Sequence, residues 1–229
     1  MAKVCLAGLS LIATIPLLSG CTSGLQAIGD TLRYAVSPDR RVLEAKLNPE
    51  FDYLRVRVNG RLAILALGAV DSLAGRSVHV FFSGEKETLK LFEGRIVEFS
   101  SPGQHVRLEV PPSGFPQFKI GLDVTFSRTM DTRPSYAFSV PQTRRLKYLE
   151  HPPGKTDLVG IDPRSLTWFE EHALEEISRT PQLPLKPKWS RALYAVLIQG
   201  GQASIVYSEQ CISPDLCLSL QRWRATGSY

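Results

Sequence analysis

The sequence predicts a mainly β protein, either an antiparallel sandwich or a flattened barrel, with little helix. Three observations indicate this fold class. Short segments rich in β-branched residues alternate between apolar and polar positions, and turn-forming residues separate them at close intervals. The 17 Gly and 16 Pro are more than a helical bundle tolerates, so they favour many turns between short elements.

The first two strands are predicted as a hairpin. In YLRVRV, Leu54, Val56 and Val58 alternate with polar or aromatic residues, which is the period of a half-buried strand. Asn59-Gly60 is a strong two-residue turn, and RLAILALGAV beyond it has the composition of a mostly buried partner strand. Further strands are predicted in SVHVFFSG, ETLKLFEG, RIVEFSS, HVRLEVPP, FKIGLDVTFSRT and SYAFSVPQTRRLKYLE.

The last third of the chain begins with an ambiguous segment, SLTWFEEHALEEI. Phe169, Ala173 and Ile177 have helical spacing, so the pattern alone predicts a helix. The prolines of the following PQLPLKPK exclude a helix interior, which makes that segment extended or looped. A hairpin is then predicted around a Gly200-Gly201 turn, and LCLSLQRW is predicted as the final strand.

Residues 1–20 have the features of a bacterial export signal. Lys3 precedes an apolar segment that has the length of a signal-peptide hydrophobic region and is short of the roughly 20 residues that span a bilayer. The sequence LSGC that ends at Cys21 resembles the bacterial lipobox. That resemblance implies a diacylglycerol thioether on Cys21 and cleavage before it. The alternative is an ordinary secretory peptide with an incidental cysteine.

The residues after Cys21 predict location and domain organisation. Thr22, in place of an aspartate, is typical of lipoproteins sorted to the outer membrane, so we expect a lipid-anchored protein at the periplasmic face of that membrane. Residues 21–47 are predicted as a tether and lead-in segment. Residues 48–229 are predicted as a single β-rich periplasmic domain, a size that can bury one core.

Cys211 and Cys217 are six positions apart on either side of a turn-forming Ser-Pro-Asp sequence. In an oxidising periplasm such a pair can form a disulfide. Two free thiols are the alternative, because the geometry of a disulfide is strict. Two cysteines without a nearby histidine do not complete a tetrahedral zinc site, so no metal is predicted here.

The sequence carries no recognisable catalytic motif, and we predict neither an enzyme nor a cofactor. The four histidines are scattered, without an HExxH pair, and there is no G-x-S-x-G nucleophile elbow. The glutamate pairs at 170–171 and 175–176 could imitate the two carboxylates of a polysaccharide-modifying enzyme. A solvated, charged face explains these pairs more simply.

The chain carries a net charge of +5, and some of its basic residues cluster. Guanidinium groups suit anionic sugars or lipid phosphates, and an aromatic neighbour can stack on a sugar ring. The candidate glycan- or partner-binding residues are Arg144, Arg145, Lys186, Lys188 and Trp189. Ordinary surface charges and a buried tryptophan are the alternative. Nucleic acid is not expected as a partner of an exported, tethered protein.

Several segments, taken in order, carry a family resemblance. They run from PEFDYLRVRVNGRLAILALGAV through LKLFEGRIVEF and DVTFSRTMD to a Trp-led strand, a glycine turn and YSEQCISPDLCLSL. Their order resembles the YjbF/GfcB-like family of bacterial outer-membrane lipoproteins, which are encoded with exopolysaccharide or group 4 capsule export systems. The likeness covers residues 48–223, and it implies that ALEEI is more extended than its helical spacing indicates.

The resemblance implies a non-catalytic lipoprotein that assists exopolysaccharide or capsule production and secretion. Its partners would be the membrane, through the lipid anchor, and a polysaccharide or proteins of the export machinery. Two alternatives remain open. One is a polysaccharide-modifying enzyme that uses the acidic residues near 170–176, and the other is a general envelope lipoprotein that binds lipid or protein.

Overall fold

The computed structural model describes Asp39 and residues 46–58, 60–175, 191–213 and 216–223. These residues belong to one compact unit, Asp39–Tyr229. Four predicted site residues, Cys21, Lys186, Lys188 and Trp189, lie outside the described residues. The predicted export signal and Glu176 of the acidic pair 175–176 also lie outside them. Within the described ranges, no helix is both long and apolar enough to cross a bilayer.

The described residues form twelve strands and one short 3-10 turn at Pro163–Ser165. The strands are β1 Tyr53–Val58, β2 Arg61–Leu73, β3 Arg76–Phe82, β4 Thr88–Phe92, β5 Arg95–Ser101, β6 Gln104–Leu108, β7 Asp123–Arg133, β8 Ala137–Leu149, β9 Thr167–Glu175, β10 Arg191–Gln199, β11 Gln202–Ser213 and β12 Leu216–Trp223. All neighbouring pairs are antiparallel, and each strand from β2 to β11 pairs with the strands before and after it in the chain.

The sheet closes in a ring because β1 also pairs with β12, where Tyr53 lies opposite Trp223. The predicted mainly β, antiparallel fold is therefore confirmed, as a sheet that closes in a ring. Opposite sides of this ring are also in contact. Gly94, in the turn between β4 and β5, accepts a hydrogen bond from Gln210 Nε2 of β11 at 3.3 Å, and Ile96 N donates to Gln210 Oε1 at 3.0 Å.

This contact between β4–β5 and β11 joins opposite sides of the ring and separates two packed regions inside it. The first region, which we call the apolar half, contains Leu54, Val56, Leu65, Phe81, Leu89, Leu91, Ile96, Phe99, Val106, Leu108, Met130, Ile212, Leu216, Leu218 and Leu220. The second, which we call the mixed half, contains Phe118, Leu146, Phe169, Ala192, Tyr194, Val196 and Ile205, together with buried charged side chains described below.

The helix predicted from the spacing of residues 165–177 is wrong, because Thr167–Glu175 form strand β9. The segment is extended through Glu175, as the family resemblance implied. Consecutive residues of β9 point to opposite faces of the sheet. Phe169 packs inside the mixed half, whereas Trp168 packs outside the ring against Tyr207.

The connection between β8 and β9 covers part of the outer face of the ring. The side-chain amide of Gln221 exchanges two hydrogen bonds with the backbone of Val159, at 3.0 and 2.7 Å. Asp157 N donates to the Tyr207 hydroxyl at 2.8 Å, and Arg55 Nη1 donates to the Asp157 carbonyl at 3.0 Å. Strands β1, β11 and β12 are thus covered on their outer faces as well as their inner faces.

Candidate functional site

The structure separates the predicted basic pair Arg144-Arg145. Neighbouring residues of a strand project to opposite faces, so the two guanidinium groups cannot lie side by side. The Arg144 side chain is 2% exposed and binds Glu171 inside the ring. Arg145 lies outside and binds both carboxylate oxygens of Asp123. The expected surface cluster is therefore not formed, and Arg144 is not available to a glycan or a partner protein.

The neighbouring glutamates of β9 are separated in the same way. Glu170 pairs with Arg191, whereas Glu171 is completely buried. The prediction of a solvated face at 170–171 is therefore wrong for Glu171. The two carboxylates of a glycosidase must flank the same glycosidic bond, so this pair does not have that arrangement.

Glu171 is the centre of a buried hydrogen-bond network in the mixed half. Arg144 Nε donates to Glu171 Oε1 at 2.8 Å, the Tyr194 hydroxyl donates to Oε2 at 3.0 Å, and Arg128 Nη2 lies 3.5 Å from Oε1. Burial alone would raise the pKa of Glu171, but the charges of Arg128, Arg144 and Arg95 outweigh it and lower that pKa. Glu171 is therefore an ionised carboxylate that accepts hydrogen bonds only.

Arg95 is the third buried guanidinium of the mixed half, and it is 2% exposed. Its guanidinium carbon lies 4.3 Å from the ring centre of Phe118 and 4.9 Å from that of Phe115, within the range of cation–π attraction. Nη2 donates to the Pro116 carbonyl at 2.9 Å. Burial lowers the pKa of Arg95, and the charge of Glu171 partly offsets that effect.

The sequence pattern did not indicate a role for Arg95, Arg128 or Tyr194, and it predicted Glu171 only as a solvated residue or as a possible carboxylate of an enzyme. One signal could have indicated Arg128. It occupies an inward position of β7 between Phe126 and Met130, so the strand pattern places a charged residue in an otherwise apolar row. A charge at such a position needs a buried partner, but the pattern does not say which one.

Cys211 and Cys217 lie opposite each other on β11 and β12 and form a disulfide in the structure. The sequence left a disulfide and two free thiols as alternatives, and the structure has the disulfide. The bridge joins the last two strands of the ring next to the β1–β12 pair. No group of three or more His, Cys, Asp or Glu side chains in the described part of the chain could hold a metal ion.

A cavity of about 310 Å³ opens at the end of the ring where β1 begins and β12 ends. We call it the end cavity. Its deeper lining is mainly apolar and includes the core residues Leu54, Phe81, Leu91, Ile205 and Leu220, together with the buried Ser208. This volume lies at the lower end of the range for small-molecule sites, which commonly occur at the mouths of closed sheets.

The rim of the end cavity is polar and includes Asp52, His79 and Arg222. Burial lowers the pKa of His79, and the nearby charge of Arg222 lowers it further, whereas Asp52 raises it. The imidazole is therefore mainly neutral at pH 7, and Arg222 is the cation of this rim. An apolar interior with a few polar groups at its mouth can bind an organic molecule and fix its orientation.

A second concavity, of about 590 Å³, lies between residues 71–76 and 108–114. Some of its charged side chains pair with other protein groups. Arg76 binds Glu93 at 2.8 Å, and Lys90 lies 3.3 Å from Glu98. Asp71 and Arg107 also line this concavity and form no ion pair with any described residue, so its charge is only partly compensated.

No protein-family model matches the chain, and no curated protein matches it. Its fold is similar to that of the hypothetical lipoprotein YmcC from Escherichia coli K12, known from a crystal structure. The TM-score is 0.51 and the sequence identity 13%, over 84% of this chain and 93% of the YmcC chain. At this identity the likeness shows the fold and carries no residue roles.

Proposed function

We propose that the protein is a lipoprotein of the bacterial envelope, anchored through Cys21 at the periplasmic face of the outer membrane. It assists exopolysaccharide or capsule production and secretion through a non-catalytic binding role. The observation that carries the proposal is the LSGC sequence directly after an export-type apolar segment. The fold likeness to a hypothetical lipoprotein and the order of the family-like segments support it.

Two features of the described residues support binding rather than catalysis. The acidic pair Glu170-Glu171 is split between the two faces of the sheet, and Glu171 is committed to buried arginines. The end cavity combines an apolar lining with a small polar rim, which is a typical arrangement for reversible ligand binding.

The anchor is tested by intact-protein and peptide mass spectrometry of the full chain expressed in a Gram-negative host. We expect a mature N-terminus at Cys21 that carries more than one acyl chain, because a single chain would bind the protein to the membrane only marginally. Cys21→Ser should abolish the modification and retain residues 1–20, whereas the control Cys5→Ser should be processed normally. An unmodified, released polypeptide from the unaltered gene would overturn the anchoring proposal.

The pathway is tested by gene deletion, with quantification of surface and secreted polysaccharide. We expect the amount or chain length to decrease and to recover with the intact gene but not with Cys21→Ser. If the polysaccharide is unchanged while Cys21 is acylated, the protein is instead a general envelope lipoprotein. The end cavity favours this second candidate, in its lipid-binding form.

A further inference from the structure

We propose that the end cavity binds an amphiphile with one hydrocarbon chain and an anionic head group, such as a fatty acid or an alkyl phosphate. The hydrocarbon chain would lie against the apolar lining, and the head would lie at the rim beside Arg222 and His79. This inference deepens the binding role proposed above by naming a ligand class. It does not require a polysaccharide pathway.

The interior of the cavity favours hydrocarbon. Leu54, Leu91 and Leu220 belong to the buried apolar cluster of the ring, and Phe81 and Ile205 are also buried. Such a surface offers few hydrogen-bond partners to water or to sugar hydroxyls, and an unpaired hydroxyl in an apolar site is unfavourable. A volume of about 310 Å³ fits one chain better than a two-chain lipid.

The rim favours an anionic head. Arg222 is exposed and forms no ion pair with any described residue. Its guanidinium can bind a carboxylate or phosphate through two parallel hydrogen bonds. His79, mainly neutral at pH 7, adds a second hydrogen-bonding group without a competing charge. Asp52 is the opposing group, because its carboxylate would repel an anionic head.

The aromatic residues of the rim do not point to a sugar as the better ligand. Tyr53 and Trp223 lie opposite each other on β1 and β12 and alternate with the inward-facing pair Leu54 and Arg222, so their side chains project to the outer face. A sugar stacked on them would therefore lie outside the apolar interior of the cavity. Ser208, one of the few hydroxyl side chains that line the cavity, is completely buried and already accepts a hydrogen bond from Gln210.

The test is photoaffinity labelling of the full chain, purified in dodecyl maltoside, with a palmitate that carries a diazirine near its methyl end. Tandem mass spectrometry should place the cross-links in the strands that supply the apolar lining, which are β1, β3, β4, β11 and β12. A tenfold excess of palmitate or hexadecyl phosphate should reduce this labelling about tenfold, and hexadecanol should reduce it much less. Stronger competition by palmitate would indicate a preference for a carboxylate head, and stronger competition by hexadecyl phosphate a preference for a phosphate head.

Matched variants make the test specific. Leu67→Trp places a larger side chain in the lining of the cavity and should abolish the labelling, whereas Ser127→Trp, at an exposed position of β7, should not. Arg222→Gln should reduce labelling severalfold and Arg107→Gln, at an exposed site on β6, should leave it unchanged. Asp52→Asn should increase it, because the repulsion of the head is removed.

Three results would overturn the inference. They are cross-links that Leu67→Trp does not alter, equal competition by hexadecanol, and a decrease rather than an increase for Asp52→Asn. A soluble fragment of the exopolysaccharide that displaced the label from the cavity would replace the amphiphile with a glycan. None of these results would change the acylation of Cys21 or the deletion phenotype, so the two proposals fail separately.

Discussion

The two halves of the ring interior are stabilised by different chemistry. In the apolar half, buried hydrocarbon side chains such as Leu89, Ile96 and Val56 pack against one another. In the mixed half, the aromatic residues surround a carboxylate and guanidinium groups, with Glu171 completely buried and Arg144 2% exposed. Among the hydrogen bonds described above, only those of Gln210 with Gly94 and Ile96 connect opposite sides of the ring.

This difference determines how each half responds to change. Loss of hydrocarbon in the apolar half removes transfer energy and leaves a void. Removal of one charge in the mixed half leaves its partner charges buried without compensation. The resulting loss of stability is larger than the net stabilisation that the intact ion pair provides. The apolar half should therefore be sensitive to volume and insensitive to pH, and the mixed half should be sensitive to both charge and pH.

The largest effect is expected for Glu171→Gln. The substitution preserves shape but removes the charge that compensates Arg144 and Arg128, so the free energy of unfolding should decrease by about 3–5 kcal/mol. Urea denaturation at pH 7 measures this change. Glu170→Gln, on the outer face, should alter stability by less than about 1 kcal/mol. Equal effects for the two variants would show that the buried network is not the stabilising element.

Leu89→Ala tests the apolar half. Leu89 is completely buried, so the substitution should decrease the free energy of unfolding by about 2–5 kcal/mol at every pH where the protein is folded. Leu174→Ala is the control, because Leu174 is 41% exposed on β9. A strong pH dependence of the Leu89→Ala effect would contradict the proposed difference between the halves.

Gly94→Ala tests the contact that separates the two halves. Gly94 has a φ of +78°, and a Cβ there would lie 2.8 Å from Cβ of Ile205 on β11. Gly103 has a φ of +90° with nothing within 4 Å, so Gly103→Ala shares the backbone strain without the clash. We expect Gly94→Ala to be less stable than Gly103→Ala by about 1–3 kcal/mol in thermal or urea unfolding. Equal stabilities would mean that β4–β5 and β11 separate easily.

The smallest effect is a difference in pH dependence. The arginines lower the pKa of Glu171 in the folded protein below its ordinary value of 4.5. The folded state therefore binds this proton less readily than the unfolded state, and the stabilisation is present above about pH 4.5 and is lost as pH falls toward the folded pKa. Between pH 6 and pH 3, the free energy of unfolding should fall more steeply in the unaltered protein than in Glu171→Gln, as urea titrations at each pH would measure. Parallel curves would place the acid sensitivity in other carboxylates.

The apolar half could largely be predicted from the sequence, whereas the mixed half could not. Leu54, Val56 and Val58 alternate with polar or aromatic residues and end at a clear turn, so local pattern was enough to predict β1 and its partner strand. In β9, Phe169 and Ala173 are four residues apart and both face inward, which a helix would also achieve. Glu171 lies between them, and its charge led to the prediction that it faces solvent.

The burial of Glu171 depends on residues that are distant in sequence. Arg144 is 27 positions away and reaches it because β8 and β9 pair in one particular register. Arg95 and Arg128 come from strands elsewhere in the ring. The end cavity has the same origin, since its rim joins Asp52, His79 and Arg222 from three separate strands or strand entries. The periodicity of apolar residues describes a single strand, so it does not predict which side chains from distant strands come together.

The pairing of β1 with β12 also restricts how this protein can recognise another macromolecule. Each of the twelve described strands has a neighbour on both sides, so none of them is an edge strand along its whole length. Pairing is nevertheless incomplete along some strands, because β6 pairs only with residues 130–133 of β7 and β9 only with residues 143–149 of β8. A partner strand can therefore add only along such a short unpaired stretch. Side chains, connecting segments and the end cavity remain as recognition surfaces, where specificity can change without disturbing the hydrogen-bonded framework.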